Sequence, residues 1–313
     1  MDVVTSATFI RAESDRYFYN ISRQAGGVNR LFHFRNVTPL DKQSIVRMNK
    51  DTLYSMGIVD TAGGATITMP PIPPGRYASI YLVDNDHYVP FVIYEPGTHE
   101  LPQDTRYLGI GVRIQVFDPN DSAEIALVNA LQDQFTISAV SAEEFKQSTW
   151  DQDSLNTLRA EYEQEFQNYD RYPSDWQGPR GDVNETTRHL AAAGAWGLFP
   201  EQDATYIVYV GGHDPEECVA ATYEVPENQA FWSITVYGED GYMKSTNNVA
   251  NSSKAVMNPD GTFTVHFGPP DSCGDTLNRL DVSDGWNFLM RVYRPGSGVL
   301  DGTYKLPRAV PTK

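Results

Sequence analysis

"AFWSITVYGEDGYM", residues 230–243, decides the fold class. Its first part is a run of β-branched and aromatic residues, which pack well on a pleated surface. It stops at Asp240–Gly241, where glycine tolerates positive φ and aspartate bonds back to its own backbone, so the pattern reads strand then turn. The same grammar recurs in "ATYIVYVG" (204–211), "ATYEVP" (221–226), "TFTVHFG" (262–268) and "WNFLMRVYRP" (286–295), with "NPDG" (258–261) as a further turn. Short strands at this spacing predict an antiparallel sandwich or jelly roll, not a parallel sheet.

Upstream, a short helical start at "FIRAESDRYFYNI" (9–21) gives way to strands. "ATITMP" runs into the proline-rich connector "PPIPPG". "RYASIYLVD" and "YVPFVIYE" form a strand pair across the polar turn Asn85–His87, and "TRYLGIGVRIQVF" is the next strand, with a loop or bulge expected near Gly109 and Gly111. The middle is helical. Asp121 with Glu124 and Ser141 with Glu144 have capping-box spacing. Ile125, Val128 and Leu131 share one helix face, as do Leu155, Leu158, Tyr162 and Phe166. "NYDRYPSDWQGPRGD" reads as a loop, and "VNETTRHLAAAGAWGLF" as a helix ended by Pro200. The expected fold is mainly β with a helical insert: antiparallel β-sandwich or jelly-roll-like domains at 1–118 and 200–313, joined by a helical bridge at 119–199.

The 313 residues suffice for a sizeable core, with 40% hydrophobic and 12% aromatic content. A formal charge of −17, with 7 Lys against 17 Arg and no basic cluster, repels phosphate backbones and argues against nucleic acid. No apolar run spans a bilayer, so no membrane partner is expected. "MDVVTSATFI" has neither a basic nor an apolar leader region, which leaves a cytoplasmic protein or an exported one whose leader has been removed. Cys218 and Cys273 match no metal spacing and are either free thiols or one long-range disulfide.

Candidate chemistry begins at "RMNKDTLYS", residues 47–55, unusually polar for a strand entering a core. If extended, Asn49 and Asp51 share one face and Tyr54 takes the other. The plainer alternative is that Asn, Asp and Thr bond local backbone at a strand entrance. "DNDHY" (84–88) gathers two Asp, an Asn and His87 within five residues, so a divalent metal near Asp84, Asp86 and His87 is open, although a polar hairpin turn explains the same residues. His87 is the best-placed imidazole, since histidine titrates near neutrality. His33 reads as a packed core residue, His213 as a turn residue and His266 as a strand residue. Arg291 and Tyr293 share a strand face, and a core strand accepts arginine only when it is paired, here with an internal carboxylate or an anionic ligand. There is no GxSxG elbow, glycine-rich phosphate loop or HExxH, so no organic cofactor is expected.

These segments resemble a bacterial family of paired domains of unknown function, numbered 1254 (N-terminal) and 1214 (C-terminal). The likeness runs through "HFRNVTPLDKQSIVRMNKDTLYSMGIVD", "GRYASIYLVDNDHY", "AFWSITVYGEDGYM", "NPDGTFTVHFGPP" and "WNFLMRVYRP". The resemblance implies two β-sandwich-like domains, helices near their join and a homo-oligomer, with no settled activity. Where relatives carry Asn-Trp-Leu-Pro before the last strand, this chain has Asn278–Arg279–Leu280–Asp281, exchanging an aromatic for a cation.

The residues predict an enzyme of hydrolase or lyase type that acts by general acid–base catalysis on a small polar or carboxylated molecule in a cleft between the β domains. Asp51, Tyr54 and His87 are the expected proton-handling groups. Asn49, Trp232, Arg291 and Tyr293 are the expected substrate contacts. The alternative is a non-catalytic carbohydrate-binding or assembly protein, in which Trp232 is either presented to a sugar face or buried in the core.

Overall fold

The computed structural model describes residues 1–43, 47–169 and 172–312, so two residues of the loop expected at 168–182 lie outside the described set. The chain is mainly β with helices. It divides into two compact units, one from Met1–Arg35, Leu53–Gln115 and Ala126–Glu201, the other from Asn36–Thr52, Val116–Ile125 and Gln202–Lys313.

The elements of the first two-thirds are α1 (Phe9–Gln24), β1 (Phe32–His33), β2 (Thr52–Asp60), β3 (Ala65–Met69), β4 (Ala78–Asp84), β5 (Val92–Ile93), β6 (Gly97–Glu100), β7 (Tyr107–Gln115), α2 (Ser122–Gln132), β8 (Thr136–Ala139), α3 (Gln152–Phe166) and α4 (His189–Gly194). They build a five-stranded sheet, β1-β2-β7-β4-β5, and a three-stranded sheet, β6-β3-β8. Every residue of β4 is buried, as expected where both faces of a strand are covered. Gly109 and Gly111 sit in unbroken register opposite Val83 and Tyr81, so the bulge expected there is absent. Gly109 instead makes room for α1: an added Cβ would lie 2.8 Å from Val83 Cγ1 and 3.1 Å from Phe18 Cε1.

The helices follow their periodicity with two exceptions. Asp151 caps α3 by accepting from the Ser154 N–H, and Leu155 packs with Phe9, Ala192 and Ala193. Ser141 and Glu144 start no helix. The buried Asp60 carboxylate accepts from both the Ser141 hydroxyl and the Glu143 N–H, at 2.6 and 2.8 Å, and holds residues 141–149 in irregular chain. The helix expected over 183–199 is confined to α4. Asn184 accepts from the Thr186 N–H and the Thr187 N–H bonds back to Asn184, which spends residues 184–188 on turns.

The remaining elements are β9 (Ala204–Val210), β10 (Val219–Tyr223), β11 (Trp232–Tyr237), β12 (Val249–Asn251), β13 (Phe263–Phe267), the short α5 (Pro270–Cys273), β14 (Arg279–Leu280), β15 (Asn287–Tyr293), the short α6 (Ser297–Leu300) and β16 (Val310–Pro311). Two four-stranded sheets result, β12-β11-β15-β9 and β14-β13-β10-β16. One core cluster takes Val219, Ala221 and Tyr223 from the second sheet and Ile234, Phe288, Met290 and Val292 from the first, so the sheets face each other as a sandwich. A disulfide joins Cys218, just before β10, to Cys273 at the end of α5, which resolves the cysteine question the spacing left open.

Candidate functional site

In a strand, alternate side chains take opposite faces. Trp232, Ile234 and Val236 of β11 and Phe288, Met290 and Val292 of β15 enter the sandwich core. Ser233, Thr235 and Tyr237, with Asn287, Leu289, Arg291 and Tyr293, therefore take the other face, and it too is buried. Leu40 and Met48, from the stretch before β2, pack against Tyr237 and Leu289 there. This second buried face is where the polar groups gather, and residues 47–51 supply its remaining members.

Asp51 is fully buried. Ser233 Oγ donates to its Oδ2 at 2.5 Å, while Oδ1 has no hydrogen-bond partner among the described residues. Burial pushes the Asp51 carboxyl above its ordinary range, opposed by the charge of Arg291 and the Ser233 bond. Arg291 donates to Thr235 Oγ1 at 3.1 Å, to the Arg47 carbonyl at 2.7 Å and to Tyr237 Oη at 2.9 Å. Burial works against its charge, but the oxygens of Tyr237, Tyr293 and Asp51 outweigh it, and Arg291 stays cationic. Tyr237 Oη in turn donates to the Met48 carbonyl at 2.8 Å, and Lys50 Nζ donates to Asn248 Oδ1 at 3.1 Å. Burial lowers the Lys50 pKa.

Residues 49–51 do not alternate across a strand as expected, because β2 begins only at Thr52. Asn49 Oδ1 accepts from the N–H groups of Asp51 and Thr52, at 2.6 and 3.1 Å, a local turn of the kind that asparagine builds at strand entrances. Its amide nitrogen reaches Tyr293 Oη at 2.9 Å. Asn49, itself only partly buried, thus joins the buried Asp51, Arg291 and Tyr293 in one cluster. Trp232 is a correction of another kind. It is 2% exposed, stacks on Phe263 at 4.0 Å within the sandwich core, and cannot offer its ring to a sugar.

Tyr54 and His87 belong to the other compact unit. Tyr54 is partly buried, with the Arg113 guanidinium 5.0 Å from its ring centre. His87 occupies the turn after β4 at a φ of 62° and is 1% exposed. Its Nε2 accepts from the Gly197 N–H at 3.2 Å and its ring stacks on Trp196, while Nδ1 has no partner among the described residues. Burial, helped by the Arg188 charge, lowers its pKa to about 3. This imidazole is therefore neutral at physiological pH and only weakly basic, and its burial against Trp196 and the Gly197 N–H weighs against the proton-handling role expected for it.

The acids around His87 are engaged. Asp84 Oδ1 accepts from the N–H groups of Asp86 and Tyr88, and its Oδ2 meets Arg180 at 3.0 Å. Asp86 is held by Arg11 and Arg180. Among the described residues no three His, Cys, Asp or Glu side chains converge as a metal cage. The sequence reading missed Ser233, Thr235, Tyr237 and Lys50 as members of the Asp51 cluster. The available signal was Arg291 itself, since a buried arginine on a strand must find acceptors on the strand beside it.

Residues 28–96 match the family described as "Protein of unknown function (DUF1254)", and residues 218–297 the family described as "Protein of unknown function (DUF1214)". In structure the chain is similar to the VPA0106 protein from Vibrio parahaemolyticus, at a TM-score of 0.74 and 16% identity, covering 97% of each chain. It is also similar to a putative uncharacterized protein from Burkholderia cenocepacia, at a TM-score of 0.55 and 14% identity, over 98% of this chain and 87% of that one. At these identities the likeness is one of fold. No curated protein matches the sequence.

Proposed function

We propose that this chain, whose residues 28–96 and 218–297 match the DUF1254 and DUF1214 families, is a hydrolase- or lyase-type enzyme for a small polar or carboxylated molecule, with its acid–base group at Asp51. The observation that carries this reading is the Asp51 Oδ1 atom, buried without a hydrogen-bond partner among the described residues, in a cluster with a buried arginine. A buried polar atom left unpaired costs about 1–3 kcal/mol, a cost expected where the group serves a ligand. Burial raises the Asp51 pKa toward the range in which a carboxyl group can both give and take a proton. In this reading Asp51 is the general acid, Ser233 fixes its orientation, and Arg291 supplies the charge that stabilises a developing anion. Tyr293 and Asn49 orient the substrate from the same face.

The test is a turnover screen of small carboxylic esters, amides and hydroxy acids, followed by NMR, with the wild type and Asp51→Asn. Loss of about 100-fold or more in rate in the variant, measured at a temperature and pH where both proteins are fully folded, supports an acid–base role. Wild-type turnover by the variant rejects Asp51. A variant that is already unfolded under the assay conditions assigns the cluster to folding.

A further inference from the structure

A cavity of about 450 Å³ opens in the N-terminal unit, walled by α1, the turn after β4, the start of β7 and residues 143–148. That volume is in the range of small-molecule sites. Asp15 and Asn85 stand side by side in its wall. Asn85 Nδ2 donates to Asp15 Oδ1 at 3.0 Å, and Trp150 Nε1 donates to Asp15 Oδ2 at 2.7 Å. An ionised carboxylate only accepts, so the Asn85 NH₂ must face Asp15 and its carbonyl must point elsewhere. That carbonyl oxygen, on a side chain 6% exposed, has no donor among the described residues.

The charges of the wall sort into paired and unpaired. Arg11 is bound to Asp86, and Arg106 to Asp60 and Glu143. Asp15, Glu144 and Lys146 have no ion-pair partner among the described residues, and Lys146 is exposed to solvent. A bare anion would meet Asp15 and Glu144, and a bare amine would leave Lys146 unanswered. An ammonium group carries the donors that the Asn85 carbonyl lacks and the positive charge that Asp15 needs. Burial already pushes the Asp15 carboxyl up, against the bonds from Trp150 and Asn85 and the charge of Arg11, and a bound cation would relieve that.

We propose that this cavity binds a small zwitterion of the α-amino-acid class, its ammonium on Asn85 Oδ1 and Asp15 and its carboxylate on Lys146. The site lies within the N-terminal unit and is independent of the Asp51 cluster.

The experiment is calorimetric titration of the full chain with the twenty common α-amino acids, and with the N-acetyl derivative and methyl ester of each one that binds. Binding of a free amino acid is expected, with each blocked form weaker by at least about ten-fold, the loss of one charge-assisted hydrogen bond. Asp15→Asn should weaken the free amino acid by a similar factor. Lys146→Met should weaken the free amino acid and leave the methyl ester unchanged. Absence of binding by all twenty, esters as tight as free amino acids, or indifference to Lys146→Met would overturn the proposal. Because Lys146 is exposed, its variant decides the matter even if Asp15→Asn fails to fold.

Discussion

Ser233 and Arg291 lie directly opposite each other on the antiparallel strands β11 and β15, on the face turned away from the sandwich core. Ser233 binds Asp51, and Arg291 binds the Arg47 carbonyl, so one cross-strand pair fastens two points of a single short stretch. The register of two strands thereby sets the position of a carboxyl group that neither strand carries.

Asp51 should make stability fall with rising pH. Its folded pKa is raised by burial, so its contribution is full below the ordinary value of 3.8 and is lost as pH rises through the folded pKa. Asp51→Asn lacks this dependence. The melting temperature of the variant minus that of the wild type should increase as pH rises above about 4, read by thermal unfolding from pH 4 to 8. A difference independent of pH would contradict it.

Removing the arginine should cost more than removing the acid. Arg291→Met leaves Thr235, Tyr237 and the Arg47 carbonyl without their donor, and a loss of about 3–5 kcal/mol is expected. Combined with Asp51→Asn, the loss should be smaller than the sum of the two single effects, because Asp51 and Arg291 act on each other within one cluster and the second change removes an interaction the first has already broken. Denaturant titration of all four proteins measures this, and strict additivity would mean that the two groups do not interact.

His87 gives the opposite slope on the acid side. Its folded pKa of about 3 lies below the ordinary 6.5, so its contribution is present above pH 6.5 and is lost as pH falls toward 3. Across that window the loss is about 4–5 kcal/mol. His87→Asn keeps a residue type that tolerates the left-handed backbone and should flatten the stability profile between pH 6.5 and 4. Profiles that stay parallel would rule this out.

The disulfide should matter to the sandwich. Cys218 and Cys273 are 55 residues apart, and closing a loop of that length restricts the unfolded chain by about 4 kcal/mol. Urea unfolding with and without reductant, beside the Cys218→Ser/Cys273→Ser variant, should show that loss in both cases.

The strands were legible because "AFWSITVYG" and "WNFLMRVYRP" alternate cleanly and end at turn residues. Gly109 was not, because a glycine that admits Phe18 looks in sequence like one that breaks a strand. Ser141 had the spacing of a cap, but Asp60 lies about eighty positions upstream and no local pattern discloses it. Arg291 and Tyr293 could be singled out because polar groups on a core-like strand need partners, and Asn49 and Asp51 because they crowd the entrance to one. Their grouping depended on which face of β11 and β15 residues 47–51 cover, and Trp232 was misread because an aromatic on the opposite face has the same local sequence.

Because the C-terminal unit borrows residues 36–52 from far upstream, a gene fragment beginning at Gln202 would encode both sheets and still be incomplete. Such a truncation would strip the wrapping from a face bearing Arg291, Ser233 and Tyr237 and leave it to water. The two halves of the polypeptide are therefore bound to be inherited together, and a recombination that parted them would yield a sandwich with one side undone.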